Sequence, residues 1–263
     1  MRVKFLKKDA SNGDYWDSQW DINQMSNALE RAKSSKTNKI IKLFTDKKYP
    51  ILEGGSGLGQ WVKLRDDEGY DIYGVDFAKK TIKSINEKFP NLKIKTGNVF
   101  SLEFPDEFFG TYYSWGVAEH FIEGPDLLIK EANRVLKTGG RLLISVPFLS
   151  PYRKKLLKNL EVVGKGDFYQ YAFDEKEFSN ALKSQGFKIE KVYKLNCIIG
   201  IKKNFNIEKR INNSNKKIKK DNAIIKILKS SNIVRKVIRW ILIKLSDNQL
   251  LTNYFGHMIL FVA

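Results

Sequence analysis

A glycine-rich turn and two carboxylates form the part of the sequence best suited to bind a ligand. Gly55, Gly57 and Gly59 alternate directly after Glu53, and Asp76 follows about 20 residues later. Glycines in such a turn permit positive φ angles and let a ligand approach the backbone closely. The pattern predicts a site for a nucleotide-like ligand.

The residues around the turn separate three classes of ligand. A phosphate-binding P-loop requires G-x-x-x-x-G-K-[ST], but no Lys-Ser or Lys-Thr pair follows here. A dinucleotide fingerprint requires G-x-G-x-x-G, whereas Gly57 is followed by Gly59 and then Gln60. Glu53 would repel phosphates but could organise a ligand ammonium group. A sulfonium ligand is therefore favoured, and a tight structural turn is the alternative for the glycines alone.

Asp76 and Phe77 stand at the predicted end of the next strand. A carboxylate at this position can accept hydrogen bonds from both ribose hydroxyls, as in other Rossmann-type sites. Phe77 could pack on an adenine face. The alternative is a solvated loop aspartate, although the spacing from the glycine turn favours a ribose contact.

Strands and helices alternate along the chain from Pro50 onward, which predicts a mostly parallel sheet with helices on both faces. Short apolar runs alternate with segments whose apolar residues have helical spacing. The predicted strands span residues 51–52, 70–75, 92–95, 109–114, 141–146, 187–197 and 258–262.

Two of the predicted helices have clear boundary signals. Pro125 suits the first turn of one helix, which we expect Gly139 and Gly140 to end. Asp174 and Glu177 have the spacing of a capping box at the start of another helix.

Five segments, in order, resemble the motifs of class I S-adenosylmethionine-dependent methyltransferases. The segments are ILEGGSGLGQWV (51–62), IYGVDF (72–77), GNV with LEFPDEFF (97–99 and 102–109), SWGVAEHF (114–121) and RVLKTGG (134–140). The resemblance covers residues from about 50 to 200. It implies an α/β, Rossmann-like fold with a seven-stranded, mostly parallel sheet whose last strand is antiparallel.

The resemblance also implies that S-adenosylmethionine is the cofactor and S-adenosylhomocysteine the product. In the family, the residue at the position of Asn98 interacts with the adenine amino group. Asp is commoner at the positions of Glu53 and Asn98, and Asn lacks its charge. With a contribution from the N-terminal aromatic residues, the expected cofactor-binding residues are Glu53, Gly54, Gly55, Ser56, Gly57, Gly59, Asp76, Phe77, Asn98, Val99, Trp115, Gly116 and Trp16.

His120 is the candidate general base, and Glu119 beside it is a second catalytic candidate. The usual imidazole pKa of about 6.5 suits proton removal near neutral pH. A packing histidine that shapes the cofactor pocket is the alternative. The Glu119-His120 pair also resembles a metal-dependent branch that uses Glu-x-x-Glu-His. Because Gly116 replaces the first Glu, no metal is predicted.

Aromatic residues follow the fifth predicted strand and should line the acceptor pocket, although they could equally be core. The expected acceptor-binding residues are Phe148, Tyr152, Arg153, Tyr169 and Tyr171. A second aromatic cluster, Tyr15, Trp16 and Trp20, could fold over the cofactor from the N-terminal side.

The strongest charge bias lies between residues 201 and 253. This stretch holds fourteen Lys or Arg against three acidic residues, a net +11 of the chain's +18. From 221 to 247, apolar residues alternate with cations, and a basic amphipathic helix carrying Trp240 would suit an anionic membrane surface. A helical cap with a solvated basic face is the alternative, and AT-rich coding could explain part of the basic composition.

We therefore predict a single methyltransferase domain over residues 1–263. It comprises an N-terminal cap segment (1–40), a Rossmann-like core (41–200 plus 254–263) and a basic helical insertion (201–253). No apolar run approaches the roughly 18 residues that a membrane span needs. We expect a cytoplasmic protein, with the membrane surface as a site of peripheral attachment.

The leading prediction is methyl transfer to an oxygen or nitrogen of a small-molecule or lipid-linked acceptor, which could be glycosylated. An RNA methyltransferase acting on ribose or tRNA is the alternative that the positive charge suggests. Base methylation is disfavoured because 114–117 (SWGV) differs from the Asn/Asp-Pro-Pro-aromatic motif, and Cys197 lies on the wrong strand. A non-catalytic cofactor-binding relative is the third possibility. The sequence predicts no particular oligomeric state.

Overall fold

The predicted alternation of strands and helices is present in the computed structural model, which describes residues 1–7, 15–158, 160–214 and 248–263. In chain order, the described elements are β1 (Arg2–Lys7), α1 (Met25–Ser34), α2 (Lys36–Phe44), β2 (Ile51–Gly54), α3 (Gln60–Asp67), β3 (Ile72–Asp76), α4 (Lys79–Lys88), β4 (Ile94–Thr96), β5 (Phe109–Trp115), α5 (Asp126–Val135), β6 (Leu136–Pro147), α6 (Pro151–Leu156), β7 (Val162–Val163), β8 (Asp167–Phe173), α7 (Glu175–Ser184), β9 (Lys191–Leu195), α8 (Cys197–Ser214), α9 (Gln249–Phe255) and β10 (Met258–Val262).

The central sheet has seven strands in the order β4-β3-β2-β5-β6-β10-β9. The pairs from β4 to β6 are parallel. Leu142 and Ala263 exchange backbone hydrogen bonds of 2.7 and 3.0 Å, and Glu190 N–H donates to Val262 O at 2.8 Å. This exchange is the antiparallel pattern, and β10 runs against both of its neighbours. The predicted Rossmann-like α/β fold is confirmed, including its antiparallel last strand.

Burial explains why these segments form the sheet and its covering helices. All four residues of β2 are buried, as expected of a strand covered on both faces. On α4, Ile82 and Ile85 are buried while Lys83 is exposed, which is the one-sided pattern of an amphipathic helix. The Asp174 side chain accepts a hydrogen bond from Glu177 N–H at 2.8 Å, so the predicted cap of α7 is confirmed.

The predicted end of the helix after Pro125 is wrong. Helix α5 ends at Val135, and Leu136 is already extended, with φ −79° and ψ 138°. Gly139 has a φ of +78°, which a side chain rarely tolerates, and lies within β6. The register of β6 against β5 shifts between Phe109 and Thr111. Gly139 and Gly140 therefore belong to an irregular part of strand β6, where the register shifts, and do not end a helix.

A second, three-stranded sheet was missed by the sequence interpretation. It has the order β7-β1-β8, with β1 antiparallel to β8 and parallel to β7. Strand β1 lies in the stretch expected to be only a cap segment. Its second residue, Val3, is fully buried, whereas Arg2 and Lys7 are exposed.

The chain divides into two compact units. The first consists of Met1–Pro147, Glu161–Tyr193 and Leu260–Ala263, and the second of Phe148–Leu160 and Lys194–Ile259. The predicted boundaries of a single domain with an insertion stay a prediction. Residues 221–247, on which the amphipathic-helix prediction falls, lie outside the described residues. Within the described ranges, no helix is both long and apolar enough to cross a membrane.

Candidate cofactor site

The glycine turn adopts the conformation for which glycine is needed. Gly55, Gly57 and Gly59 have φ angles of +74°, +52° and +74°. The backbone N–H groups of Gly55 and Ser56 both donate to Val75 O, at 2.8 and 3.1 Å. The turn is thus tied to the carboxyl end of β3, which is where ligands bind in parallel α/β sheets.

The carboxylate of Asp76 organises this turn from the end of β3. Its Oδ2 accepts from Gly57 N–H at 2.7 Å, and its Oδ1 accepts from Ala78 N–H at 2.9 Å. Burial raises the pKa of Asp76, although these backbone N–H groups and that of Phe77 oppose the rise. Each carboxylate oxygen retains acceptor capacity for a further hydrogen bond. Asp76 can therefore hold the turn and still accept from a ribose hydroxyl.

Glu53 is the most deeply buried carboxyl of the site, with 1% exposure. Its Oε2 has no hydrogen-bond partner among the described residues. Burial raises the pKa of Glu53 well above its usual value, and the charge of Asp76 raises it further. An acceptor buried without a donor is costly. A ligand ammonium group fits this position, because it would supply both the donor and the missing positive charge.

The N-terminal aromatic segment lies against the glycine turn. A Cβ atom added at Gly57 would come within 2.8 Å of the Trp20 ring. Asp17 Oδ1 accepts from the backbone N–H of Thr81 at 3.1 Å and from its hydroxyl at 3.3 Å. These bonds attach residues 17–20 to the start of α4. Asp17 was not foreseen, because neither its spacing nor its neighbours signal a partner 64 residues away.

The remaining expected cofactor residues have varied surroundings. Phe77 is 52% exposed, and its ring centroid lies 6.5 Å from that of Trp16. Asn98 is exposed, and its Oδ1 accepts from Phe100 N–H at 3.0 Å. Gly54 and Val99 are buried, and Gly116 has a φ of +71°. Trp115 Nε1 is buried without a hydrogen-bond partner among the described residues.

His120 is held in one orientation by strand β8. Its Nδ1 lies 2.6 Å from the carbonyl oxygen of Tyr169, so Nδ1 carries the proton and donates it. The Trp16 ring packs edge-on against the imidazole at 4.5 Å between centroids. Glu119 is buried, with Oε1 3.9 Å from His120 Nε2.

The expectation of an imidazole pKa near neutrality is wrong. Burial lowers the pKa of His120 to about 4, although the bond to Tyr169 O opposes the shift. The ring is therefore neutral across the physiological range, with Nε2 as its hydrogen-bond acceptor. The sequence could not reveal this, because the burial depends on Trp16 and Tyr169, which are distant along the chain.

The expected acceptor-binding residues fall into both units. In the first, the Tyr169 ring lies 5.2 Å from that of His120, and the buried Tyr171 donates its hydroxyl to Ile122 O at 3.0 Å. In the second, Phe148 and Arg153 are buried, and Tyr152 packs on Phe255. Their role in binding an acceptor stays a prediction. No group of three or more metal-ligating side chains occurs in the described part of the chain.

Comparison with known proteins agrees with this geometry. Residues 52–144 match a protein family described as a methyltransferase domain. Over 143 residues, the chain is 27% identical to a "Probable S-adenosylmethionine-dependent methyltransferase" of Mycolicibacterium smegmatis. Over residues 52–144, the chain is therefore similar to S-adenosylmethionine-dependent methyltransferase domains. An uncharacterised protein of Methanocaldococcus jannaschii is 33% identical over 139 residues.

These matches cover part of each protein. The two alignments take in 53% and 52% of this chain, and the chain spans 52% and 63% of the length of these relatives. Among solved structures, a complex of the Haloferax volcanii Trm112 methyltransferase activator with its methyltransferase is similar at a TM-score of 0.58 and 14% identity. That likeness covers 95% of this chain and 95% of the matched chain, and it concerns the fold alone.

Proposed function

We propose that the protein transfers a methyl group from S-adenosylmethionine to an oxygen or nitrogen atom of an acceptor. The observation that carries this proposal is the pairing of two buried carboxyl groups with the glycine turn. Glu53 has a buried oxygen without a donor, and Asp76 holds the turn through Gly57. A sulfonium cofactor with an ammonium group and a ribose matches both features, whereas a pyrophosphate would meet two carboxyl groups.

In this proposal, each site residue has a defined task. Glu53 accepts hydrogen bonds from the cofactor ammonium group, and Asp76 accepts them from the ribose hydroxyls. Phe77 and Asn98 flank the adenine. The cofactor supplies an already activated methyl group, so the chief contribution of the protein is alignment of the acceptor with it.

We assign His120 a positioning role towards the acceptor. A ring with a pKa of about 4 is a weak base at neutral pH. Its Nε2 can still accept a hydrogen bond from an acceptor hydroxyl or amine and orient the lone pair that attacks. The buried Glu119, 3.9 Å away, would stabilise positive charge that develops on the ring.

The acceptor that we propose is a small or lipid-linked molecule, which could be glycosylated, with the basic stretch 201–253 serving attachment to an anionic membrane. The concentration of +11 in that stretch supports this choice, since a general compositional bias would spread charge along the chain. An RNA acceptor is the second candidate, supported by the net charge of +18. The proposed location is the cytoplasm and its membrane surface.

Calorimetry tests the cofactor assignment, and mass spectrometry tests transfer. We expect S-adenosylmethionine and S-adenosylhomocysteine to bind saturably and NAD to give no heat. Saturable NAD binding without binding of either methionine derivative would overturn the assignment. A metabolite extract incubated with the protein and isotopically labelled cofactor should yield a labelled product. Cofactor binding without any labelled product from metabolite, lipid or RNA pools would favour the non-catalytic alternative.

A further inference from the structure

The guanidinium group of Arg153 is buried in the second unit, with 2% exposure of the residue. Its hydrogen bonds go to neutral acceptors: Asn204 Oδ1 at 2.8 Å, Phe148 O at 2.7 Å and His257 Nδ1 at 3.1 Å. Burial alone lowers the pKa of Arg153, to about 10, and no carboxylate among the described residues offsets that shift. Buried arginines are rare unless they are paired with an anion.

Asn204 adds a second unsatisfied feature at the same place. The residue is fully buried, and its Nδ2 has no hydrogen-bond partner in the part of the chain that the structure describes. The orientation of the amide is fixed by chemistry, because exchanging its two ends would set Nδ2 against the Nε donor of Arg153. A donor group therefore lies buried and unused beside an uncompensated cation.

His257 completes the group with a third donor. Its Nδ1 accepts from Arg153, so in the neutral ring Nε2 carries the hydrogen. Burial lowers the pKa of His257 to about 3, and the charges of Lys203 and Arg153 lower it further. The positive charges thus come from α6 and α8, the helices that bear Arg153 and Lys203. Two cations therefore act on the His257 ring.

We propose that Arg153, Asn204 and His257 form a binding site for an oxyanion, such as a phosphate or carboxylate group of a ligand. The oxygens of such a group would accept from the remaining guanidinium N–H groups, from Asn204 Nδ2 and from His257 Nε2. Arginine is suited to this because its planar fork donates two hydrogen bonds to one oxyanion. The site lies within the second unit and does not depend on the proposed methyl transfer.

The two histidines of the chain provide a direct readout, since one lies in each site. The imidazole signals should be recorded by NMR near neutral pH, where the protein is folded and both anions are ionised, with and without inorganic phosphate and separately with acetate. We expect phosphate to shift the ring signals of His257, because the anion would accept from its Nε2. The signals of His120 should not change and serve as the internal control. A response to acetate as well would indicate a general oxyanion site, and a response to phosphate alone a phosphate site.

Asn204→Asp tests the same site without removing the buried cation. The new carboxylate would supply the missing negative charge beside Arg153. The melting temperature should therefore rise, and phosphate should no longer raise it. In the wild type, by contrast, phosphate should raise the melting temperature, because a ligand of the folded state stabilises it. Arg153→Met should abolish the phosphate response, whereas Arg141→Met, which removes an exposed arginine of the first unit, should retain it.

The proposal fails if phosphate and acetate, each at about 50 mM, leave both the His257 ring signals and the melting temperature of the wild type unchanged. It also fails if Asn204→Asp lowers the melting temperature and binds phosphate as the wild type does. Loss of cofactor binding in any of these experiments would bear on the methyltransferase proposal and not on this one.

Discussion

The carboxylate of Asp76 and the backbone N–H of Gly57 are joined by a hydrogen bond of 2.7 Å. The bond links the end of β3 to the middle of the turn that follows β2. One side chain thus shapes the glycine turn, and in the proposed function it also accepts hydrogen bonds from the cofactor ribose. Because both tasks use the same carboxylate, substitution of Asp76 should affect cofactor binding more than loss of a single contact would.

Asp76→Ala should weaken binding of S-adenosylhomocysteine at least tenfold, equivalent to about 1.4 kcal/mol or more. Hydrogen bonds to a charged group contribute about 1.5–3 kcal/mol each, and the variant loses those to the turn as well as those to the ribose. Calorimetry provides the measurement. Asp71→Ala is the matched control, since Asp71 is an exposed carboxylate near the other end of the same strand, paired with Lys93. Equal losses in the two variants would contradict a specific role for Asp76.

Cofactor binding should release a proton from Glu53. The pKa of this carboxyl is raised well above its usual value in the absence of ligand, mainly by burial. An ammonium group beside it would lower the pKa again, so the bound state holds fewer protons and affinity should increase with pH. Calorimetry at about pH 6 in two buffers of different ionisation enthalpy measures the proton count.

Glu53→Gln should remove this proton release and weaken binding, whereas Glu103→Gln should change neither. Glu103 is a suitable control because its carboxylate is 85% exposed and pairs with Lys95 on the surface. An unchanged heat in the two buffers for the wild type would show that Glu53 does not meet the ammonium group.

His120 should make the folded protein sensitive to acid. Its pKa in the folded state is about 4, below the usual 6.5, so the unfolded chain binds a proton more readily between these values. Stability is therefore full above about pH 6.5 and decreases as pH falls towards about 4, by roughly 3 kcal/mol at most. The pKa of His257 is also lowered, so this residue adds to the loss of stability as pH falls.

The variant His120→Asn isolates this contribution, because its amide can still donate to Tyr169 O but does not titrate. Between about pH 7 and 4.5, urea unfolding should show a loss roughly 2 kcal/mol smaller for the variant than for the wild type. His257→Gln should retain the loss of stability that protonation of His120 causes.

In turnover assays, His120→Asn should lower kcat with little change in cofactor affinity. The wild-type rate should not vary between about pH 6 and 8 through ionisation of this residue. Identical acid sensitivity of His120→Asn and the wild type would contradict the depressed pKa.

Local patterns were sufficient to predict the central sheet and the cofactor turn. The alternation of buried strands with amphipathic helices sets the sheet, and the glycine spacing requires positive φ angles at Gly55, Gly57 and Gly59. Both features arise from short-range sequence. Strand β10 was predicted with its observed bounds because a five-residue apolar run stands out in a polar stretch.

Features that depend on distant partners could not be predicted in this way. Strand β1 pairs with β8, about 165 residues later, and six residues of mixed polarity do not signal that pairing. The low pKa of His120 arises from burial, to which the distant Trp16 ring contributes, and the bond to Tyr169 O only opposes it. The hydrogen-bond acceptors around Arg153 come from three separate segments. In each case the decisive environment is assembled only by the fold.

The basic stretch 201–253 should direct the protein to anionic membranes. We expect co-sedimentation with vesicles that contain an anionic lipid such as phosphatidylserine, and none with neutral phosphatidylcholine vesicles. Cations near an anionic surface contribute roughly 1 kcal/mol each. Binding should weaken as salt rises, because exposed charges are screened within about 10 Å at 0.1 M.

Replacement of Lys226, Arg235, Lys236 and Arg239 together by Gln should abolish vesicle binding while circular dichroism and the melting temperature stay unchanged. The matched control replaces four exposed lysines of the first unit, Lys33, Lys39, Lys83 and Lys188, and makes the same change in net charge. The control should still bind, because the concentration of charge in one stretch, and not the total of +18, is the proposed cause. Equal loss in both variants would assign binding to net charge alone.

A protein that does not bind vesicles but retards tRNA in a gel-shift assay at about 0.15 M salt would favour the RNA acceptor. If the protein binds neither vesicles nor tRNA, the stretch 201–253 is a helical cap and the acceptor is a small molecule free in solution.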